Sequence, residues 1–217
     1  MAVIKLDIIS DVACPWCYVG KAYLDRALEA RPDHPFEIEW HPYQLNPDMP
    51  PEGMKRTDYL SAKFGSRENI LRTHAPLIEH GEKAGIEFDL PAVERSPNTL
   101  DAHRLIHWAG LEARQTAMVS ALFRAYWREG KDIGDRTQLA DLAGAVGLDR
   151  AMIARLLDSD ADRADISARV ANARNKGVSG VPAFVIAGRH VVQGAQPTEV
   201  WTGIIDDINA QLKERSA

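Results

Sequence analysis

Two cysteines are the whole thiol complement of the 217-residue chain, and they stand at positions 14 and 17. Cys14-Pro15-Trp16-Cys17 is a C-x-x-C pair, and two intervening residues let two sulfurs come within bonding distance. The chemistry that suits it is thiol–disulfide exchange, in which a thiolate attacks and a free thiol near pKa ~8.5 is mostly protonated. A helix N-terminus favours an anion, and cysteines in such pairs reach roughly 3.5–7.5. Cys14 is then the attacking sulfur and Cys17, one turn deeper, the resolving one. Pro15 suits a first helical turn because it gives up no needed N–H. Trp16 sets a flat apolar face beside the sulfur but adds no positive charge. Read without context, the pair also fits half of a zinc site, which needs two further ligands, or two incidental core cysteines.

A second constellation is Gly177-Val178-Ser179-Gly180-Val181-Pro182-Ala183-Phe184, a glycine-bracketed loop entering a strand through Pro182. X–Pro bonds are the only common place for a cis peptide. A cis Val181–Pro182 bond would present the Val181 backbone to an extended substrate through β-type hydrogen bonds. The alternative is a trans proline opening an edge strand.

The elements that must position these residues follow from the hydrophobic pattern. Residues 3–9 read as a strand, a helical period runs on from Tyr18, and 36–41 alternate with Phe36, Ile38 and Trp40 on one face. Strand, helix, strand predicts a parallel pair with a right-handed crossover. The proline-rich 43–56 is a connector, and from about 55 to 176 the period is helical throughout. Gly147 suits a helix C′ position, and Asp149 suits a cap. Strands return at 183–187 and 190–193 around a tight turn at Gly188-Arg189. Pro197 then opens a last helix that buries Val200, Trp201, Ile204, Ile205, Ile208 and Leu212. The expected organisation is α/β: residues 1–50 and 177–217 form one discontinuous unit, and 51–176 are an all-helical insertion.

Composition bounds the partners. Twenty-six basic and 31 acidic residues are mixed along the chain, for a net charge of −5, and no basic block points to nucleic acid. Asp7 and Asp11 interrupt the start MAVIKLDIISD, which reads as neither a secretory core nor an anchor. No stretch approaches the ~20 apolar residues of a spanning helix. The expected location is the cytoplasm, where a structural disulfide is uncommon and a lone pair of cysteines is chemical.

Beyond these readings, the sequence resembles the DsbA family of thioredoxin-fold proteins, and within it the cytoplasmic FrnE-like branch. The resemblance rests on Ser10-Asp11-Val12, Cys14-Pro15-Trp16-Cys17-Tyr18, Gly20-Lys21, Leu45-Asn46-Pro47-Asp48-Met49, Pro97-Asn98-Thr99 and Ala102-His103-Arg104. It continues through Leu122-Phe123, Gly180-Val181-Pro182, Phe184 and Gly194-Ala195-Gln196-Pro197, in family order over nearly the whole chain. It implies a thioredoxin fold with a large helical insertion, a cis proline facing the redox pair, and a mixed disulfide on Cys14. Cys14 and Cys17 are thus expected to be catalytic, and Pro15, Trp16, Val181 and Pro182 to contact substrate. Periplasmic members carry histidine where Trp16 stands, so their strong oxidising power is not implied.

The same branch holds 2-hydroxychromene-2-carboxylate isomerases and kappa-class glutathione transferases. These typically use a single serine or cysteine, so Cys17 is what argues for redox chemistry. A glutathione-dependent isomerase or transferase and a non-enzymatic, holdase-like binder are the competing readings. No bound cofactor or metal is expected. Protein thiols and disulfides, or glutathione as co-substrate, are the expected partners. Among other candidates, His103 and His107 share a helix face and lack further ligands at suggestive spacing. Asn46 and Asn98 suit either the cleft or turn and cap chemistry. Trp108, Trp127, Met118 and Phe123 read as core.

Overall fold

The computed structural model describes residues 3–216. The chain opens with β1 (Ile4–Ser10), α1 (Pro15–Ala30) and β2 (Phe36–Pro42), and closes with β5 (Ala183–Ile186), β6 (His190–Gln193) and α9 (Thr198–Ser216). The four strands make one sheet in the order β2-β1-β5-β6. β1 and β2 run parallel with Ile8 opposite Trp40, and β5 pairs antiparallel with β1, Ile8 opposite Phe184. Alternation along β1 sends Leu6 and Ile8, both at 0% exposure, into the main core. Phe184 meets Trp201 of α9 at 4.7 Å between ring centres.

Between the two halves lie β3 (Met54–Lys55), α2 (Arg56–Phe64), α3 (Arg67–Lys83), β4 (Arg95–Ser96), α4 (Leu100–Leu111), α5 (Gln115–Trp127), α6 (Arg136–Ala145), α7 (Arg150–Asp158) and α8 (Arg163–Asn175). The apolar stripes expected on α4 and α5 are buried, and Trp108, Trp127, Met118 and Phe123 are all core. Gly147 follows α6 with φ +88°, and the Asp149 side chain caps α7 by accepting the Met152 N–H. One continuous cluster of apolar side chains joins the sheet to α3, α4, α5, α6 and α7.

Three expectations are corrected. The segment 51–176 is not helical throughout, because β3 and β4 pair as a two-stranded ribbon. Strands of two residues leave no periodicity to read. The β5–β6 loop spans residues 187–189, and Ala187 (φ 53°) and Gly188 (φ 67°) take the left-handed conformation. Arg189 N–H donates to the Ile186 carbonyl at 3.1 Å, so an alanine holds a conformation that costs it ~1–2 kcal/mol. Val200 is 41% exposed, on the outer face of α9.

Candidate active site

At the end of β1 the chain turns through Asp11, which is 1% exposed. Its carboxylate accepts the Ala13 N–H (3.2 Å) and the Leu45 N–H (2.7 Å), and its carbonyl accepts the Cys14 N–H (2.9 Å). A buried carboxylate thus fixes the turn that delivers Cys14 to the helix. Trp127 holds the same turn from below, its Nε1–H donating to the Val12 carbonyl at 3.0 Å. Cys14 is the N-cap of α1, with extended backbone and no side-chain cap. Pro15 has no N–H and the Cys17 N–H donates to the Cys14 carbonyl at 3.1 Å, which leaves the Trp16 N–H as the first-turn donor for an anion.

Cys14 and Cys17 are free thiols, 4% and 1% exposed. The Cys14 thiol donates to the Val181 carbonyl at 3.6 Å, across 167 residues of sequence. The Val181–Pro182 bond is cis, and the Pro182 carbonyl accepts the Gly194 N–H at 2.8 Å. Tyr43 steadies the incoming loop, its hydroxyl donating to the Val178 carbonyl at 3.3 Å. Half-buried Trp16 meets His80 of α3 edge-on, with ring centres 5.4 Å apart. The structure thereby gathers Cys14, Pro15, Trp16, Cys17, Val181 and Pro182 at one place.

Burial pushes the Cys17 thiol well above its ordinary pKa, and the hydrogen bond with Cys14 and the charge of that sulfur add to it. Cys17 is therefore held as a thiol. The unfolded chain releases this proton near pH ~8.5 and the folded chain keeps it. The resulting stabilisation is whole below that pH and is lost as pH rises toward the folded value. Urea unfolding of the reduced protein should show stability falling above about pH 9, by up to ~1.4 kcal/mol per pH unit more than in Cys17→Ala. Parallel pH profiles for the two proteins would refute the assignment.

Gly20, in α1, is part of the site for a steric reason that sequence reasoning missed. A Cβ there would lie 3.0 Å from Pro182 Cγ and 3.4 Å from the Phe184 ring. Gly20→Val should push the Pro182 loop away from Cys14, cost ~1–3 kcal/mol of stability and slow disulfide exchange. Unchanged exchange kinetics in a folded Gly20→Val protein would contradict this.

The remaining candidates fall outside the sulfur site. His103 is buried, and its Nε2 lies 2.9 Å from the Tyr43 carbonyl and 3.5 Å from the Asp11 carboxylate. With a carbonyl as partner, Nε2 carries the proton and the ring braces the loop after β2. His107 lies 3.3 Å from Arg169. Asn46 bonds Tyr59, while Asn98 donates to the Met49 carbonyl and accepts the Leu100 N–H, which is turn and cap chemistry. Asp7, Glu39 and His41 place three ligand-type atoms within 4.8 Å of one another. Lys5 Nζ already lies between them, 3.2 Å from Asp7 and 2.6 Å from Glu39. Among the described residues no helix is long and apolar enough to cross a membrane.

A mixed sheet flanked by helices, with a C-x-x-C pair at the first turn of the first helix, defines a thioredoxin-like protein. Residues 5–206 match the DSBA-like thioredoxin domain family, and the chain belongs to that family. It is 29% identical over 208 residues to the uncharacterized protein YwbO of Bacillus subtilis (strain 168), covering 94% of this chain and 96% of that one. The crystal structure of a probable DsbA oxidoreductase, SCO1869 from Streptomyces coelicolor, superposes with a TM-score of 0.84 at 31% identity, over 94% of this chain and 89% of that chain. The cytosolic disulfide reductase DsbM from Pseudomonas aeruginosa, solved with GSH, shares the fold at a TM-score of 0.63 and 21% identity, over 97% and 98% of the two chains.

Proposed function

We propose that this protein is a cytoplasmic dithiol–disulfide oxidoreductase acting on protein or small-thiol substrates through Cys14 and Cys17. The observation that carries this reading is the pair itself. Cys14 caps α1 within 3.6 Å of the Val181 carbonyl, and Cys17 is buried beneath it as a thiol. Cys14 thiolate attacks a substrate disulfide, forming a Cys14–substrate mixed disulfide and releasing one substrate thiolate, which takes up a proton. Cys17 loses its proton and attacks Cys14, closing the Cys14–Cys17 disulfide and releasing the second substrate thiol. The substrate gains two electrons and the pair loses two, and the reverse sequence oxidises a dithiol.

Residues 1–50 with 177–217 act as the unit that carries the pair, and 51–176 as the insertion that walls its cleft. Val181 and Pro182 line up an extended substrate chain, and Pro15 and Trp16 form the apolar lip. A cytosolic location agrees with a chain whose two cysteines are both in the motif. Glutathione is the first small thiol to test, since a reductase of this fold was solved with it. No resident cofactor enters the cycle.

The test is equilibration of purified protein in thiol–disulfide buffers from about −120 to −300 mV. Alkylation and mass spectrometry should count two thiols lost together in one two-electron transition, with Trp16 fluorescence following it. Cysteines that never form an intramolecular disulfide across that range would overturn the proposal.

A further inference from the structure

Arg56, the first residue of α2, is 7% exposed, and among the described residues no carboxylate pairs with it. Its guanidinium lies 5.0 Å over the Trp127 ring and 3.4 Å from the Tyr126 hydroxyl. A buried cation without a counter-ion is costly, and a π-face with one neutral hydroxyl compensates only part of that cost. The uncompensated charge is felt nearby: burial first, and then the Arg56 charge, hold His74 below its ordinary pKa. Lys55, at the N-cap of α2, offers no side-chain cap, so the helix adds its own positive end.

Arg56 stands in the wall of a cavity of about 910 Å³ between α2, α3 and the segment around β4. Leu60, Leu71, Ala75, Ile78, Leu90 and Val93 supply its apolar lining. Two of them, Leu71 at 60% and Ile78 at 43%, are large hydrophobics left open to solvent. The volume is that of a small-molecule site. Trp127 contacts both the Arg56 wall of this cavity and the turn before Cys14, with Arg56 over its ring and its Nε1–H on the Val12 carbonyl. Lys55, Arg95 and Glu94 also line the cavity, so beside Arg56 its charged groups are two cations and one carboxylate.

We infer that this cavity binds an organic monocarboxylate with an extended apolar body, its carboxylate on the Arg56 guanidinium and its body along α2 and α3. Arg56 supplies the fork that matches a carboxylate, and the lining supplies the burial that a bare anion would not use. This inference stands apart from the thiol chemistry, because a Cys14→Ser protein should bind the same ligand equally well.

Titration calorimetry of the wild-type protein with four probes tests it: octanoate, octan-1-ol, octylammonium and acetate. Octanoate should bind at least tenfold more tightly than octan-1-ol, with octylammonium and acetate weaker still. Leu71→Asp, at an exposed position, should lower octanoate affinity at least tenfold. Arg56→Met should remove the preference of octanoate over octan-1-ol. Should Arg56→Met fail to fold, the wild-type series and Leu71→Asp still decide. Octan-1-ol matching octanoate, no detectable octanoate binding, or full affinity in Leu71→Asp would each overturn the inference.

Discussion

Cys14→Ser should eliminate disulfide exchange, and Cys17→Ser should convert the protein into a trap that holds its substrate covalently. The asymmetry follows from position along one helical turn. Cys14 caps α1 and its thiol donates to the Val181 carbonyl, where the proposed function places an extended substrate. Cys17 lies deeper, at 1% exposure, and burial keeps it protonated. Without Cys14 no mixed disulfide forms and the rate falls by more than about 100-fold, the scale of losing a nucleophile. Without Cys17 the first attack proceeds at near wild-type rate, but nothing resolves the adduct and turnover stops. Incubation with oxidised glutathione and non-reducing mass spectrometry should find one glutathione on Cys17→Ser and none on Cys14→Ser. A glutathionylated Cys14→Ser protein would reverse the roles. Sustained turnover by Cys17→Ser would instead favour the isomerase or transferase reading, in which the second cysteine is dispensable.

The pair was legible in sequence because its chemistry is local: two cysteines at fixed spacing between a β-branched run and a helical period. The Val181–Pro182 loop was legible for the same reason, through its bracketing glycines. What stayed hidden was whatever acts across long separations. Gly20 and Pro182 meet because α1 packs against the loop before β5, and one glycine among fifteen carries no mark of that approach. Trp127 has core spacing, and only the fold reveals that its indole N–H holds the turn before Cys14. Asp11 reads as a break in the apolar start, yet it is buried and bonded to Leu45, 34 positions away. The ribbon of β3 and β4 was invisible because two residues have no period. The left-handed Ala187 was missed because turn chemistry favours glycine there, and the β5–β6 pairing overrides that preference.

Arg104 presents the same long-range logic with the largest expected effect on stability. It interrupts the apolar stripe of α4, flanked by Ala102 and Leu105, and its exposure is 0%. Its guanidinium donates to the carbonyls of Ala161 (2.7 Å), Leu156 (2.7 Å), Ser159 (2.8 Å) and Leu157 (3.4 Å), and to the Asp101 carboxylate (2.7 Å). It also lies 4.9 Å over the Trp108 ring. One side chain therefore satisfies the open carbonyls at the C-terminal end of α7 and ties that helix to α4. Burial pushes the Asp101 pKa up, but hydrogen bonds from Arg104 and Arg136 and the charge of Arg163 hold it below the ordinary carboxylate value. Arg104→Ala takes the side-chain donor from the Leu157, Ser159 and Ala161 carbonyls, while Leu156 keeps the Ser159 N–H and hydroxyl, and should cost about 3–5 kcal/mol, the range for breaking a buried charged network. For a chain of this size that lowers Tm by roughly 6–20 °C. Arg104→Lys keeps the charge, but its single ammonium cannot span the carbonyls, so it should recover only part of the loss. Arg163→Ala, which removes one partly exposed ion pair to Asp101, should cost less than about 1 kcal/mol. Chemical denaturation of the three variants checks the order, and an Arg104→Ala protein as stable as Arg163→Ala would show that α7 does not depend on this guanidinium.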